Sequence, residues 1–431
     1  MRLPIARRLA PEVPTFPWKP FVVAALAFTL TVGALTGAID LWNMRVVMKA
    51  VPIDHHRAHA FAQLFGFLWL FTMGVSLHLA PRFFGAAPAT LARRRVMAWC
   101  GIPGVLLLVA GRLGSLIPHA DGLSIAGALL VLAAMTAWLG LIIKLWRAQE
   151  FPGADALQRF LLAGASWWWL ASVLLTGWVL GQAFGGPLLF VPLESIWAMG
   201  LFGGTASWLW GIFLRAGICT LHVKRPGELA QRGLFFGWQL AAAFAALAPW
   251  VEAAWVNALH HLLCAFAVAV VVWTVRPFSG DGLALEKSLA PRAVQAGLLF
   301  LLLFGALSLW SALEVAGVWA PPLLRDATRH AFTLGGVSLL VLGFAGRMVP
   351  GFSGRQLKWP GGYDAGVLAV VASAGLRLCE LFSMTRVGLA LSGASGGLAF
   401  LGMTLVAASL LGSMRWRVET LSPQEERVGA S

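Results

Sequence analysis

FVVAALAFTLTVGALTGAIDLW, residues 21–42, is an apolar stretch in which Asp40 is the only charged residue. A helix needs roughly 20 predominantly apolar residues to cross a hydrocarbon core about 30 Å thick. Residues 21–42 meet that requirement, so we predict that they form a membrane-spanning helix.

The composition of the whole chain supports the same interpretation. Of the 431 residues, 59% are hydrophobic and 12% are charged, whereas an ordinary soluble chain has about 25% charged residues. A water-soluble fold cannot cover so much apolar side chain with so little polar surface. The sequence therefore predicts an all-α, polytopic membrane protein in contact with the lipid bilayer.

Apolar runs of sufficient length recur along the chain with short connections between them. We predict twelve spans, at residues 21–42, 57–80, 96–118, 123–145, 158–180, 194–220, 233–252, 254–275, 294–314, 328–350, 364–385 and 387–414. They form one membrane domain over 21–414, between a tail at 1–20 and a tail at 415–431. No short apolar segment with a cleavage site precedes the first span, so we expect no signal peptide and insertion by the first helix.

The distribution of Lys and Arg predicts the orientation. The net charge is +14, but the basic residues lie between apolar runs, where topology signals occur, and not on one face as in a nucleic-acid-binding protein. Most fall in the connections that share a side with the N-terminus. The positive-inside rule then places both termini in the cytoplasm, and we expect no nucleic-acid partner.

On this topology most of the nine histidines fall in the outer half of the membrane. The group comprises His55, His56 and His59 of span two, His119 of an outer loop, His260 and His261 of span eight, and His330 of span ten. His78 and His222 lie on the cytoplasmic side. Ionisable residues inside a membrane are costly and point to function, although interfacial histidines also serve as amphipathic anchors.

Imidazoles and arginines at one depth suit a haem, with histidines as axial ligands and arginines paired with propionates. We predict His59 and His330 as iron ligands and Arg112 and Arg329, or Arg57, near the propionates. For Arg112 the alternative is a structural pair with Glu380.

The adjacent imidazoles of His260 and His261, with His55, are predicted ligands for copper. Cys264, one turn from His260, is a further candidate or a small buried apolar residue. Glu194, Glu252 and Glu314 near outer helix ends, and the Arg377/Glu380 pair at i,i+3, add polar groups to the same region.

Spans two and ten resemble each other. Both begin with His-Ala-Phe, at His59 and His330, and both end with a proline, an aromatic residue and a glycine, at residues 81–85 and 350–354. Span six, with a pair of glycines at 203–204, begins from the same side. Related helices at a period of four suggest three four-helix units.

The stretches at residues 55–85 and 329–355 resemble the NnrS family, twelve-span bacterial inner-membrane proteins associated with the response to nitric oxide. The resemblance covers about sixty residues. It implies a protein of the bacterial cytoplasmic membrane that carries haem and copper and binds or turns over nitric oxide, or protects against it.

The arrangement is also similar in outline to the catalytic subunit of haem–copper oxidases, which has low-spin haem ligands on spans two and ten. That likeness implies a haem b between His59 and His330. The chain departs from the oxidases because its adjacent histidines are on span eight and its only tyrosine, Tyr363, lies in a cytoplasmic loop. An oxygen-reducing site with an active-site tyrosine is therefore excluded.

A nitric oxide reductase-like enzyme would need an external electron donor, because the chain has no cytochrome domain. Two other classes of function stay open. A secondary transporter or channel without a redox cofactor is the main alternative, and delivery of metal to another protein is the other. The clustering of histidines on one side favours the haem protein.

Overall fold

A computed structural model describes residues 17–113, 119–149, 155–185, 191–251, 253–279, 288–381 and 385–414. No β-strand occurs in these residues, and eleven helices are long and apolar enough to cross a membrane. These are α1 (Lys19–Val47), α2 (Ile53–Phe83), α3 (Leu91–Leu113), α4 (Ala120–Arg147), α5 (Ala156–Phe184), α6 (Leu193–Leu221), α7 (Glu228–Val251), α8 (Ala254–Val275), α9 (Ala290–Val315), α10 (Leu324–Phe352) and α12 (Arg386–Ser413). The protein is thus a multi-pass α-helical membrane protein.

Between α10 and α12 lies α11, an 18-residue helix over Pro360–Arg377. A short 3₁₀ turn, Leu378–Leu381, continues it. The helix packs closely against α12, since a Cβ on Gly366 would lie 2.7 Å from the carbonyl oxygen of Gly402. It occupies the position predicted for span eleven, 364–385, but begins earlier, and residues 382–384 lie outside the described residues. The prediction that Tyr363 lies in a loop is wrong, because Tyr363 is buried in the first turn of α11 and donates to the Leu342 carbonyl of α10 at 2.7 Å.

Three helices, α2, α6 and α10, form the centre of the bundle. In the most apolar 18 residues of each helix, the buried share is 83% in α2, 83% in α6 and 67% in α10, against 33–56% in the other spans. The remaining helices surround them, and α12 packs against α1. The ring of helices is thus closed by contact between the first and the last.

Each central helix contains a π-helical segment. The segments are Ala62–Trp69 in α2, Met199–Thr205 in α6 and Ala331–Ser338 in α10. A π segment widens the helix and is frequent at functional sites. Shorter π segments also occur in α1, at Thr29–Gly33 and Asn43–Val47. The three longer central segments recur at a spacing of four helices, as three related units would.

Glycines in these segments accept aromatic rings from the preceding helix. A Cβ on Gly66 would lie 2.7 Å from Phe28 of α1, and a Cβ on Gly203 would lie 2.4 Å from Trp167 of α5. The third unit repeats the contact, since a Cβ on Gly335 would lie 2.4 Å from the ring of Phe300 of α9. Only glycine leaves space for these rings, so each outer helix lies directly against its central helix.

The central helices also end alike. Gly85, His222 and Gly354 follow the three helices in left-handed conformation, with φ of 62°, 53° and 60°. The residue after each of these positions donates its backbone N–H to the carbonyl five residues earlier in the helix. The bonds run from Ala86 to Pro81, from Val223 to Ile218 and from Arg355 to Pro350. This is the Schellman end of a helix. His222, predicted only as an interfacial side chain, therefore occupies the position that glycine fills in the other two units.

Candidate functional site

The candidate site lies at the end of the bundle where α2, α6 and α10 begin, which we call the histidine end. His59 is in the second turn of α2, and its Nδ1 donates to the Gly33 carbonyl of α1 at 2.8 Å. The ring packs directly against α1, because a Cβ on Gly37 would be 2.5 Å from Cε1 of His59. Gly37 thus makes room for the imidazole, and the Gly33 carbonyl fixes its orientation.

His330 begins the corresponding part of α10. Its Nδ1 donates to the Asp326 carbonyl one turn earlier at 2.9 Å and lies 3.4 Å from Oδ1 of the Asp326 side chain. His59 and His330 both lie in the first two turns of a central helix, at the histidine end. The structure therefore places the two histidines that the sequence predicts as iron ligands at one end of the bundle.

His260 shows the same pattern on α8. Its Nδ1 donates to the Ala241 carbonyl of α7 at 2.9 Å, and its ring contacts Phe202 of α6 edge-on, with centroids 4.6 Å apart. The Cys264 sulfur lies 3.7 Å from the same Nδ1. Because this nitrogen is already engaged, Cys264 is not placed to share a metal with the other ring nitrogen of His260.

A ring held through Nδ1 leaves Nε2 as the ligand atom. Metal-binding histidines almost always donate their second ring nitrogen to a carbonyl, a carboxylate or water, which fixes the tautomer and the orientation of the ring. His59, His260 and His330 all meet this condition, and no described residue forms a hydrogen bond with their Nε2. The donor set of His59 and His330 therefore fits the axial ligands of a haem.

The residues predicted for copper are less well assembled. The rings of His260 and His261 have centroids 5.0 Å apart, and the buried Nδ1 of His261 has no hydrogen-bond partner among the described residues. His55 instead lies 3.6 Å from Asp40 of α1. Within the described part of the chain, no group of three His, Cys, Asp or Glu side chains is arranged to hold a metal ion.

Arg112 is buried at the histidine end, between α3, α4 and α5. It donates to Ser124 of α4 at 2.8 Å, lies 3.9 Å from Asp121, and its guanidinium is 5.1 Å from the ring centroid of Trp178. Arg57 approaches the same ring at 5.7 Å. The alternative prediction that Arg112 pairs with Glu380 is wrong, because Arg112 bonds to the neighbouring α4.

None of the three arginines predicted near the propionates contacts His59 or His330 through the hydrogen bonds and ion pairs of the described residues; Arg57 pairs with Asp54 at 3.3 Å. The partners of Arg112 belong to α4 and α5, whereas His59 faces α1. Arg329 is exposed. Their role toward a cofactor stays a prediction.

A buried ion cluster beside His330 joins α1, α10, α11 and α12. Arg377 lies 2.5 Å from Asp326 and 3.2 Å from Glu380, in agreement with the predicted i,i+3 pair. Arg45 contacts the same two carboxylates at 3.7 and 3.2 Å. Ser392 of α12 donates to Glu380 at 2.9 Å. Two arginines thus balance two carboxylates, as burial of charge requires.

Sequence reasoning missed Arg45 and Asp326, because both lie beyond the predicted span ends. Asp326 precedes His330 by four residues, one helical turn, and that spacing could have indicated a contact. Arg45 carries no comparable signal: its place in the cluster depends on α1 continuing to Val47.

The remaining polar residues named from the sequence lie apart from this cluster. His78, at the opposite end of α2, contacts the Phe352 ring with centroids 4.0 Å apart. His119 precedes α4 in left-handed conformation. Glu194 and Glu314 are exposed, and Glu252 lies outside the described residues.

No protein-family model matches the chain, and no curated protein matches it. The family resemblance therefore rests on the motif regions of α2 and α10 themselves.

Proposed function

We propose that this protein is a haem-binding membrane protein that binds or turns over nitric oxide, or protects against nitrosative stress. One observation supports the proposal above the others. His59 and His330, on two central helices, lie at the same end of the bundle, and each is held through Nδ1 by a backbone carbonyl. Such a pair presents two Nε2 atoms for an iron.

A bound haem would supply a redox-active iron able to take a diatomic gas. If both His59 and His330 held the iron, the group would suit electron transfer; if one of them held it, the iron would be open to the gas. The backbone carbonyls at Gly33 and Asp326 keep both imidazoles in the tautomer that binds metal. Turnover would require an external electron donor.

The proposed setting is the bacterial cytoplasmic membrane, crossed twelve times with both termini in the cytoplasm. The proposed eleventh crossing is α11, which is flanked by α10 and α12. The histidine end then faces outward. A reporter fused after Ser413 tests this orientation: activity confined to the cytoplasm supports it, and activity outside contradicts it.

Replacement of the two histidines tests the ligand assignment. His59→Ala and His330→Ala should each remove most of the haem from the purified protein without preventing membrane insertion. His78→Ala is the matched control, since His78 lies on α2 at the opposite end against Phe352. Haem retained in both ligand variants, or lost in the control, would contradict the assignment.

Copper is a second part of the proposal, supported by the adjacent imidazoles of His260 and His261. The chain's described residues add no third ligand to this pair. Metal analysis of the purified protein tests this part directly, because a preparation loaded with haem and free of copper would remove it.

A secondary transporter or channel is the second candidate. The π segments in α2, α6 and α10 favour it, since transporters commonly use repeated units and interrupted helices around a central site. A colourless protein from cells with ample haem would favour this candidate.

A further inference from the structure

The two histidines proposed as iron ligands have different second partners. His59 donates to a neutral backbone carbonyl, that of Gly33. His330 donates to the Asp326 carbonyl and also lies 3.4 Å from a carboxylate oxygen of the same residue. Asp40 of α1 also acts on His59 through its charge, but a direct contact with a carboxylate is made by His330 and not by His59.

The carboxylate of Asp326 is held in place from two other helices. Oδ1 faces His330, while Oδ2 lies 2.5 Å from Nη2 of Arg377 and 3.7 Å from Nη2 of Arg45. Arg377 is itself fixed, because it also donates to Ser392 at 2.7 Å. Because the two arginines hold Oδ2 of Asp326, Oδ1 is held in a fixed position beside the ring of His330.

We infer that Asp326 is a positioning residue for His330: its carboxylate, fixed by Arg377 and Arg45, orients the imidazole and makes it the more electron-donating of the two ligands. This inference rests on the proposed function. His330 Nδ1 donates its hydrogen bond to the Asp326 carbonyl, and the Asp326 carboxylate lies 3.4 Å from the same nitrogen. A carboxylate beside the second ring nitrogen of a ligating imidazole raises the basicity of the ligand, and the surroundings of the ligands are one of the means by which a protein sets a haem potential. Through this cluster, Arg45 of α1 and Arg377 of α11 influence the midpoint potential of a haem held by His330.

Asp326→Asn tests the inference through the midpoint potential of the haem, measured by optical redox titration. Oxidised iron carries one more positive charge than reduced iron, so a nearby carboxylate favours the oxidised form. Loss of the charge should favour reduction about tenfold, which raises the potential by about 59 mV for a one-electron couple.

Asp155→Asn is a closely matched control. Asp155 also lies between two arginines, 2.5 Å from Arg225 and 3.7 Å from Arg215, and its side chain is 23% exposed against 28% for Asp326. It is at the beginning of α5, at the opposite end of the bundle. The substitution should leave the potential unchanged.

Arg45→Gln separates an electrostatic effect from a purely structural one, and it serves where Asp326→Asn fails to fold. It removes a positive charge from the same cluster, so the potential should fall instead of rise. A structural role for the cluster would lower haem content in both variants without shifts of opposite sign.

The outcomes distinguish this inference from the proposed function. A wild-type protein that binds no haem, or that keeps its spectrum in His330→Ala, would overturn both the ligand assignment and the inference. Haem bound through His330, with an unchanged potential in Asp326→Asn and Arg45→Gln, would overturn the inference alone. Opposite shifts in the two variants, absent from Asp155→Asn, are the expected result.

Discussion

Gly37→Ala should displace His59, because the new methyl group would occupy the space of the imidazole. The added Cβ would lie 2.5 Å from Cε1 and 2.7 Å from Nδ1 of His59, whereas carbon atoms in contact are about 3.5–4.0 Å apart. The ring must therefore retreat by about 1 Å, which follows from that contact distance. Such a shift would break the bond from Nδ1 to Gly33, now 2.8 Å long.

The size of the effect follows from three contributions. Overpacking of a tight contact costs about 1–3 kcal/mol, and the lost hydrogen bond adds about 0.5–1.5 kcal/mol. Alanine is better than glycine inside a helix by about 1 kcal/mol, which offsets part of this. We expect a net loss of about 0.5–3.5 kcal/mol in the free energy of unfolding, together with reduced haem content.

Unfolding in detergent and the haem-to-protein ratio are the assays. Gly140→Ala is the control, because a Cβ on Gly140 of α4 meets no atom within 4 Å. It should be as stable as the wild type or slightly more so. The reasoning would be refuted if Gly37→Ala matched this control in both stability and haem content.

Two further predictions concern the ion cluster and the repeated units. Arg377→Met should cost about 3–5 kcal/mol in unfolding free energy, because it leaves the carboxylates of Asp326 and Glu380 uncompensated. Arg232→Met, at an exposed pair with Glu228, is the control and should cost less than about 1 kcal/mol. Equal losses in the two variants would contradict a stabilising role for the ion cluster. Alanine at Gly66, Gly203 or Gly335 should lower the thermal midpoint to a similar extent, since each Cβ would lie within 2.7 Å of an aromatic residue. An effect at only one of the three would contradict equivalent packing in the three units.

The positions of the helices could be predicted from hydrophobicity, because each apolar run had to lie in lipid. The predicted spans 57–80 and 194–220 correspond to Ile53–Phe83 and Leu193–Leu221. The helices extend beyond the apolar runs, and the extension of α1 to Val47 carries Arg45 into the ion cluster. Length requirements set by the bilayer do not reveal such extensions.

The similarity of spans two and ten could be predicted from the sequence, but the left-handed helix ends and the π segments that underlie it could not. The repeated ends at Gly85 and Gly354 reflect left-handed helix ends, which glycine marks in the sequence. The third unit has His222 at that point, so pattern comparison could not align it. The π segments have no sequence signature of their own, because they depend on how neighbouring helices pack.

The site was predictable in residue type but not in partners. His59 and His330 drew attention as ionisable groups in apolar surroundings, yet the atoms that hold them are the backbone carbonyls of Gly33 and Asp326. The Gly33 carbonyl belongs to another helix and has no signal in the sequence, whereas Asp326 lies one turn before His330 on the same helix. The alternative pairing of Arg112 with Glu380 was wrong, since Arg112 donates to Ser124 on the adjacent helix.

The most direct test of the proposal is an optical spectrum of the detergent-purified protein, oxidised and then reduced with dithionite, before and after addition of nitric oxide. We expect sharp reduced Soret and α bands of haem b that depend on His59 and His330, and a shift with the gas as nitric oxide takes the place of one of the two histidines. A haem spectrum indifferent to the gas would limit the site to electron transfer. A colourless protein from cells well supplied with haem would contradict the proposal.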